Sequence, residues 1–230
     1  MSIAEKLTKV AENQQKVFEA GKKSEYDFFW DGLQDKGKRR MYSSTFQGWT
    51  DEMFYPKYDL VFGTQSTGQF HFAKIKDLSR RLEECDVTMR FATNSLQSFF
   101  NQCTSTSCPT LDFSHVTGNN TVSMQYTFQA ASNLRRIHLK NARLAYYQNP
   151  FSGCNSLEEI VLENVVFTAT SVSGLSLADS TKLTKESLLA VINALQQTTN
   201  TVTFTFGTTN LAKLSDAEIA IATQKGWTVA

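Results

Sequence analysis

Two stretches of this chain align without gaps at a separation of 23 residues. Phe128-Gln-Ala-Ala-Ser-Asn-Leu134-Arg-Arg-Ile137-His-Leu139 is followed by Phe151-Ser-Gly-Cys-Asn-Ser-Leu157-Glu-Glu-Ile160-Val-Leu162. The phenylalanine, the first leucine, the isoleucine and the second leucine recur in place. A period of this size is a solenoid signature, because one such unit cannot bury its apolar face alone and must stack on a neighbour. Ile137 and Leu139, like Ile160 and Leu162, alternate as short strands with one face inward. Leu134 and Leu157 turn the corner into each strand, and Phe128 and Phe151 fill the core on the far side. The strands are therefore expected to stack as a parallel ladder.

The pattern weakens in both directions. Upstream, Leu111-Asp-Phe113 reads as the preceding strand, with Phe99 and Phe100 as far-side fillers. Val87-Thr-Met89-Arg-Phe91 and Phe70-His71-Phe72 suggest two earlier strands. Between them, Leu78, Leu82 and Cys85 have helical spacing. Downstream, Leu175-Ser-Leu177 suggests a short strand. Thr184 then caps an amphipathic helix running to Leu195, with Ser187 early in its first turn. Thr201–Phe206 alternates as a strand with threonines outward. Ser215 and Glu218 form a capping box for a last helix, which Gly226 ends before a strand at Trp227-Thr-Val229. Such an ending covers the open edge of a stack.

The remaining sequence divides by charge. The first sixty residues are dense in charge, whereas Asp112 is the only charged residue from Phe91 to Leu134, and Asn164–Ala178 has none. About a fifth of the chain is Ser or Thr. These side chains satisfy backbone groups in tight, non-helical returns. The 17 Phe and 7 Tyr exclude a disordered chain. The charged start reads as a helix with Ser2 and Glu5 as its capping box. Its seam is Ile3, Leu7, Val10, Gln14 and Val17, the spacing of a coiled coil with one polar register position. The competing reading lays the same helix on the protein's own body. Tyr26, Phe28, Phe29 and Trp30 then dock the helix end, and Lys36-Gly37-Lys38-Arg39-Arg40 reads as a solvated turn.

The expected organisation is a helix for oligomerisation or attachment over residues 1–35, a connecting segment over 36–69, the solenoid over 70–183 and an α/β cap over 184–230. The fold class is α/β: a short, irregular leucine-rich-repeat-like solenoid with an N-terminal coiled-coil helix.

Net charge is +1, which argues against binding nucleic acid through clustered basic residues. No apolar run is long enough to cross a membrane. The start of the chain lacks the apolar core of a secretory signal. No metal or other cofactor is expected, since His71, His115 and His138 pair with no cysteine at ligand spacing. Cys103 and Cys108, spaced C-x4-C, allow a local disulfide, but two reduced thiols are the expectation. Arg143, Tyr146 and Tyr147, in the return before Phe151, are candidate surface contacts; the competing reading packs both tyrosines between coils.

Phe-Ser-Gly-Cys-Asn-Ser-Leu-Glu-Glu-Ile-Val-Leu at 151–162 resembles the BspA-like class of bacterial-surface leucine-rich repeats, over roughly residues 85–185. The opening 27 residues, the helix at 184–195 and the Lys-Gly-Trp-Thr ending resemble small proteins of phages and prophages of gut Gram-positive bacteria. The resemblance implies a virion appendage such as a tail, baseplate or head fibre, assembled in the host cytoplasm. It implies a homotrimer, partnered by other virion proteins and by a host surface glycan or protein. It supplies no catalytic residue. Two further classes stay in view: an enzyme degrading cell-surface polymer, drawing on Asp112, Glu158, Glu159, Glu163 or Asp179, and a bacterial surface interaction protein.

Overall fold

In a computed structural model of the chain, residues 9, 12, 40–41, 54–56, 59–62, 74–91, 94–116 and 121–230 are described. The chain divides into two units, Met1–Arg39 and Arg40–Ala230. In the first, Lys9 and Glu12 are helical and exposed. The seam residues Ile3, Leu7, Val10, Gln14 and Val17 lie outside the described residues, as do the aromatic cluster at 26–30 and the strand expected at Phe70–Phe72.

The second unit is mixed α/β, with small parallel sheets and few helices. Strands β1 (Arg40–Met41), β2 (Leu60–Phe62) and β3 (Met89–Phe91) form one parallel sheet. Strand pairing thus begins inside the segment expected to be a connector. Neither β1 nor β2 carries a repeat motif, so periodicity did not reveal them. Helix α1 (Leu78–Glu84) stands between β2 and β3, where the leucine spacing placed it, with Asp77 as its N-cap.

A second sheet holds β4 (Leu111–Asp112), β5 (Thr121–Ser123), β6 (Arg136–Ala145) and β7 (Glu159–Phe167). All its pairs are parallel. Each β7 residue in the ladder lies opposite the β6 residue 23 positions earlier, from Arg136 with Glu159 to Leu144 with Phe167. On the other edge of β6, β4 pairs with Leu139–Lys140 and β5 with Arg143–Ala145. The repeat period is therefore the ladder register. Burial follows the predicted alternation in β6, where Ile137, Leu139, Ala142 and Leu144 are inside. In β7, Leu162 is only half-buried.

The returns repeat as closely as the strands. Phe100, Phe128 and Phe151 are buried in one stacked column, with ring centroids 5.4 and 5.9 Å apart and rings tilted by 9° and 7°. Beside them Ser98, Tyr126, Asn149 and Gly174 all take positive φ, as do Gln102, Ala130 and Gly153. The backbone pairs these positions: Ser98 N donates to Gln125 O and Tyr126 N to Gln148 O, while Gln102 N donates to Gln129 O and Ala130 N to Ser152 O. At Gly174 the glycine is required by space as well as by its φ of +70°, because a Cβ would fall 2.9 Å from the backbone N of Asn149.

The C-terminal region contains α2 (Lys185–Asn193), β8 (Val202–Phe204), α3 (Thr208–Leu211), α4 (Asp216–Gln224) and β9 (Trp227–Val229), with β8 and β9 parallel. Thr184 caps α2 by accepting from Ser187 N, while Ser187 Oγ accepts from Ile160 N, tying α2 to β7. The strand expected at Leu175–Leu177 is a single bridge, Ser176 with Thr205. Neither β5 nor α3 was anticipated, since each is too short to carry a period.

The α4 capping box is complete: Ser215 Oγ accepts from Glu218 N, and the Glu218 carboxylate accepts from Ser215 N at 2.7 Å. Replacing Ser215 by alanine should cost about 1 kcal/mol in chemical denaturation. The Ser215 N–H and then Lys185 hold the Glu218 carboxyl down at about 2. Its folded value is depressed, so its stabilisation is complete above the ordinary carboxylate range. That contribution is lost as pH falls towards about 2, and a Glu218→Gln variant should show a weaker loss over this window.

Candidate functional site

The outward face of β4, β6 and β7 holds most of the charge in this part of the chain, and Arg136, His138, Lys140, Glu159 and Glu163 are paired with one another. Arg136 Nε lies 2.7 Å from Glu159 Oε2, the cross-strand pair that the repeat alignment places side by side. Lys140 Nζ lies 2.8 Å from Glu163 Oε2. His138 is held at both ring nitrogens, with Nε2 2.6 Å from Glu163 Oε1 and Nδ1 2.9 Å from Thr110 Oγ1. An ionised carboxylate only accepts, so Nε2 carries a proton, and in the neutral ring the Thr110 hydroxyl donates to Nδ1. Lys140, and then His138, hold the Glu163 carboxyl below its usual range.

A polar ladder runs beside these pairs. Asn164 Nδ2 donates to Asn141 Oδ1 at 3.0 Å, and Asn141 Nδ2 donates to Asp112 Oδ1 at 2.9 Å. Both asparagines take positive φ, which a short amide side chain tolerates. Burial raises the Asp112 carboxyl, but the Asn141 and Ser114 hydrogen bonds outweigh it and the group is held low.

Between α1 and the start of β6 lies an open groove of about 390 Å³. Leu82, Val87 and Met89 are among its apolar lining, and Glu83, Thr110 and His138 among its polar lining.

The predicted contact residues separate. Arg143 is half-buried on β6, opposite Thr121 and Val166. Tyr146 is 48% exposed on the turn after β6. Tyr147 is not a surface contact: it is 2% exposed, stacks on Phe167, and its hydroxyl donates to Leu144 O. The packing alternative holds for Tyr147 and fails for Tyr146. Tyr146 takes φ +53° and stands between the buried Ala145 and Tyr147.

Sequence reasoning passed over Thr110, His138, Lys140 and the Asn141–Asn164 ladder. The signal was available, since continuing the 23-residue alignment past Leu139 and Leu162 pairs Lys140 with Glu163 and Asn141 with Asn164.

All four cysteines are free thiols, and Cys103, Cys108 and Cys154 are buried. Burial pushes Cys103 up to about 11 and Cys154 to about 12, and raises Cys108 strongly. Iodoacetamide at pH 8 should therefore alkylate Cys85 in the native protein and all four after denaturation, read by intact mass. Rapid native labelling of Cys103 or Cys108 would contradict this packing. Among the described residues no cluster of His, Cys, Asp and Glu could hold a metal ion, and no helix is long and apolar enough to cross a membrane. No protein-family model, no curated protein and no solved structure matches the chain.

Proposed function

We propose that the chain is a structural protein of a phage particle, a tail, baseplate or head appendage. In this reading its body is a short leucine-rich-repeat-like solenoid presenting a binding surface to a host receptor or to another virion protein. The observation that carries the reading is the 23-residue ladder of β6 on β7, backed by the stacked phenylalanines and the repeated positive-φ returns. A stack of this kind displays long, regular outer faces. The segment from α2 to β9 supports the cap, because it follows β7 in the chain and α2 is tied to β7 through Ser187 Oγ and Ile160 N. Residues 1–35 form the oligomeric stem, with Ile3, Leu7, Val10, Gln14 and Val17 as its seam, and a trimer is the proposed state.

The assembly is tested by light scattering of the full chain. Three times the monomer mass is expected, falling when residues 1–20 are removed. A monomer at micromolar concentration, or a mass unchanged by the deletion, would reject the stem.

One observation favours a second reading as a hydrolase: the hydroxyl–imidazole–carboxylate chain Thr110–His138–Glu163 at the groove. It resembles a nucleophile, base and orienting acid in order. It predicts hydrolysis of an activated ester that Thr110→Val abolishes. The structural reading predicts no turnover above the background of free imidazole. Glycoside hydrolysis is less well supported. It wants a carboxyl raised towards neutrality, and Asp112 and Glu163 are both lowered.

A further inference from the structure

Between Phe91 and Ala178 every Asp, Glu, Lys and Arg lies on a strand or at its entry. The returns at 94–111, 123–134, 144–157 and 164–178 contain none. Charge is thus sorted by coil position, one surface ionised and another neutral.

The two surfaces also differ in what their polar groups do. On the strand face Arg136, His138, Lys140, Glu159 and Glu163 bond to one another. On the returns, the side chains of Gln125, Tyr126, Tyr146, Gln148, Thr170 and Ser171 make no hydrogen bond among the described residues. Backbone pairing brings these six to one corner. Tyr126 N donates to Gln148 O at 2.8 Å, Tyr146 N to Thr170 O at 3.1 Å and Tyr147 N to Ser171 O at 2.9 Å. Among the described residues, the exposed large hydrophobics are Tyr55 and Tyr146. The Arg81 guanidinium covers the Tyr55 ring at 4.1 Å, whereas among the described residues no cation covers Tyr146.

We infer that this corner binds a neutral glycan, with Tyr146 as the platform for one sugar ring. A pyranose offers an apolar C–H face that packs on an aromatic ring, and an edge of hydroxyls that both donate and accept. Glutamine, threonine, serine and tyrosine side chains answer those hydroxyls in both senses. The returns themselves offer an ionised ligand no counter-charge for the hydration it would lose, Arg143 lying on β6 before them. The inference rests on the proposal that the body presents a binding surface, and it names the partner's chemistry.

The test titrates the full chain with maltohexaose, cellohexaose and chitohexaose, followed by saturation-transfer NMR and calorimetry, with an oligogalacturonate as the anionic control. At least one neutral probe should bind in preference to the anionic one. Tyr146→Ala should weaken that binding about tenfold or more. Tyr146→Phe should stay within about twofold, since the ring face is kept. Lys140→Ala, on the strand face, should leave it unchanged. Silence from all three neutral probes, tighter binding of the anionic one, or full affinity in Tyr146→Ala would overturn the site. Detection of the chain in purified particles is independent. A chain present in particles but blind to the probes removes the glycan site alone. A chain that binds them but is absent from particles removes the virion reading alone.

Discussion

Replacing Phe128 by alanine should destabilise the body by about 3–5 kcal/mol, the range for emptying a large aromatic site in a packed core. Phe128 is fully buried and is the middle ring of the column, stacked on Phe100 on one side and Phe151 on the other. Removing it takes a stacked partner from each neighbour, and the gap cannot close without shifting the returns on either side. The same change at Phe151, which has the stack on one side only, should cost less. Urea unfolding of the two variants provides the comparison, with the midpoint falling and the slope unchanged. Equal and small effects at both positions would mean that the column does not hold the returns together.

The second large effect is expected at Asn210, in α3. Its side chain is fully buried, and Nδ2 lies 3.0 Å from Leu177 O, 3.3 Å from Ser180 O and 3.0 Å from Phe206 O. One amide thus ties three backbone carbonyls from two successive turns of the chain, while its own oxygen accepts from Lys213 Nζ at 3.1 Å. Asn210→Leu keeps the branched outline in a larger side chain and removes the donors. Leu177 O and Ser180 O still accept from Ser180 N and Leu183 N, so the loss falls on Phe206 O, and about 1–3 kcal/mol is expected. Asn210→Asp should be at least as damaging, because a carboxylate cannot donate and would face three carbonyl oxygens. Thermal unfolding within about 1 kcal/mol of the parent for both variants would show that water or a shifted backbone replaces the amide.

How far the fold was legible in the sequence depends on what each element carries. The β6–β7 ladder was readable because a gapless period forces a register: once Ile137 and Ile160 share a face, Arg136 must meet Glu159. The capped helices were readable because Thr184, Ser215 and Glu218 mark helix starts with local chemistry. The short elements β1, β2, β5 and α3 carry neither a period nor a cap signal, and partners distant in the chain decide their conformation. Tyr146 and Tyr147 were indistinguishable by composition. One ring lies outside and the next inside, a division that no residue type there announces.

The polar sites divide in the same way. The Lys140–Glu163 pair and the Asn141–Asn164 ladder follow from the repeat alone, whereas the His138–Thr110 contact does not. Thr110 and His138 are 28 residues apart, a spacing that differs from the 23-residue repeat, so only the β4–β6 pairing brings them together.

The most direct test of a role in a phage particle is the composition of the particle itself. Particles banded to constant density and washed in high salt should retain the chain at a fixed ratio to the major capsid protein, in a multiple of three copies, by quantitative mass spectrometry. A chain abundant in the infected-cell lysate but missing from the banded particles would contradict the proposed function.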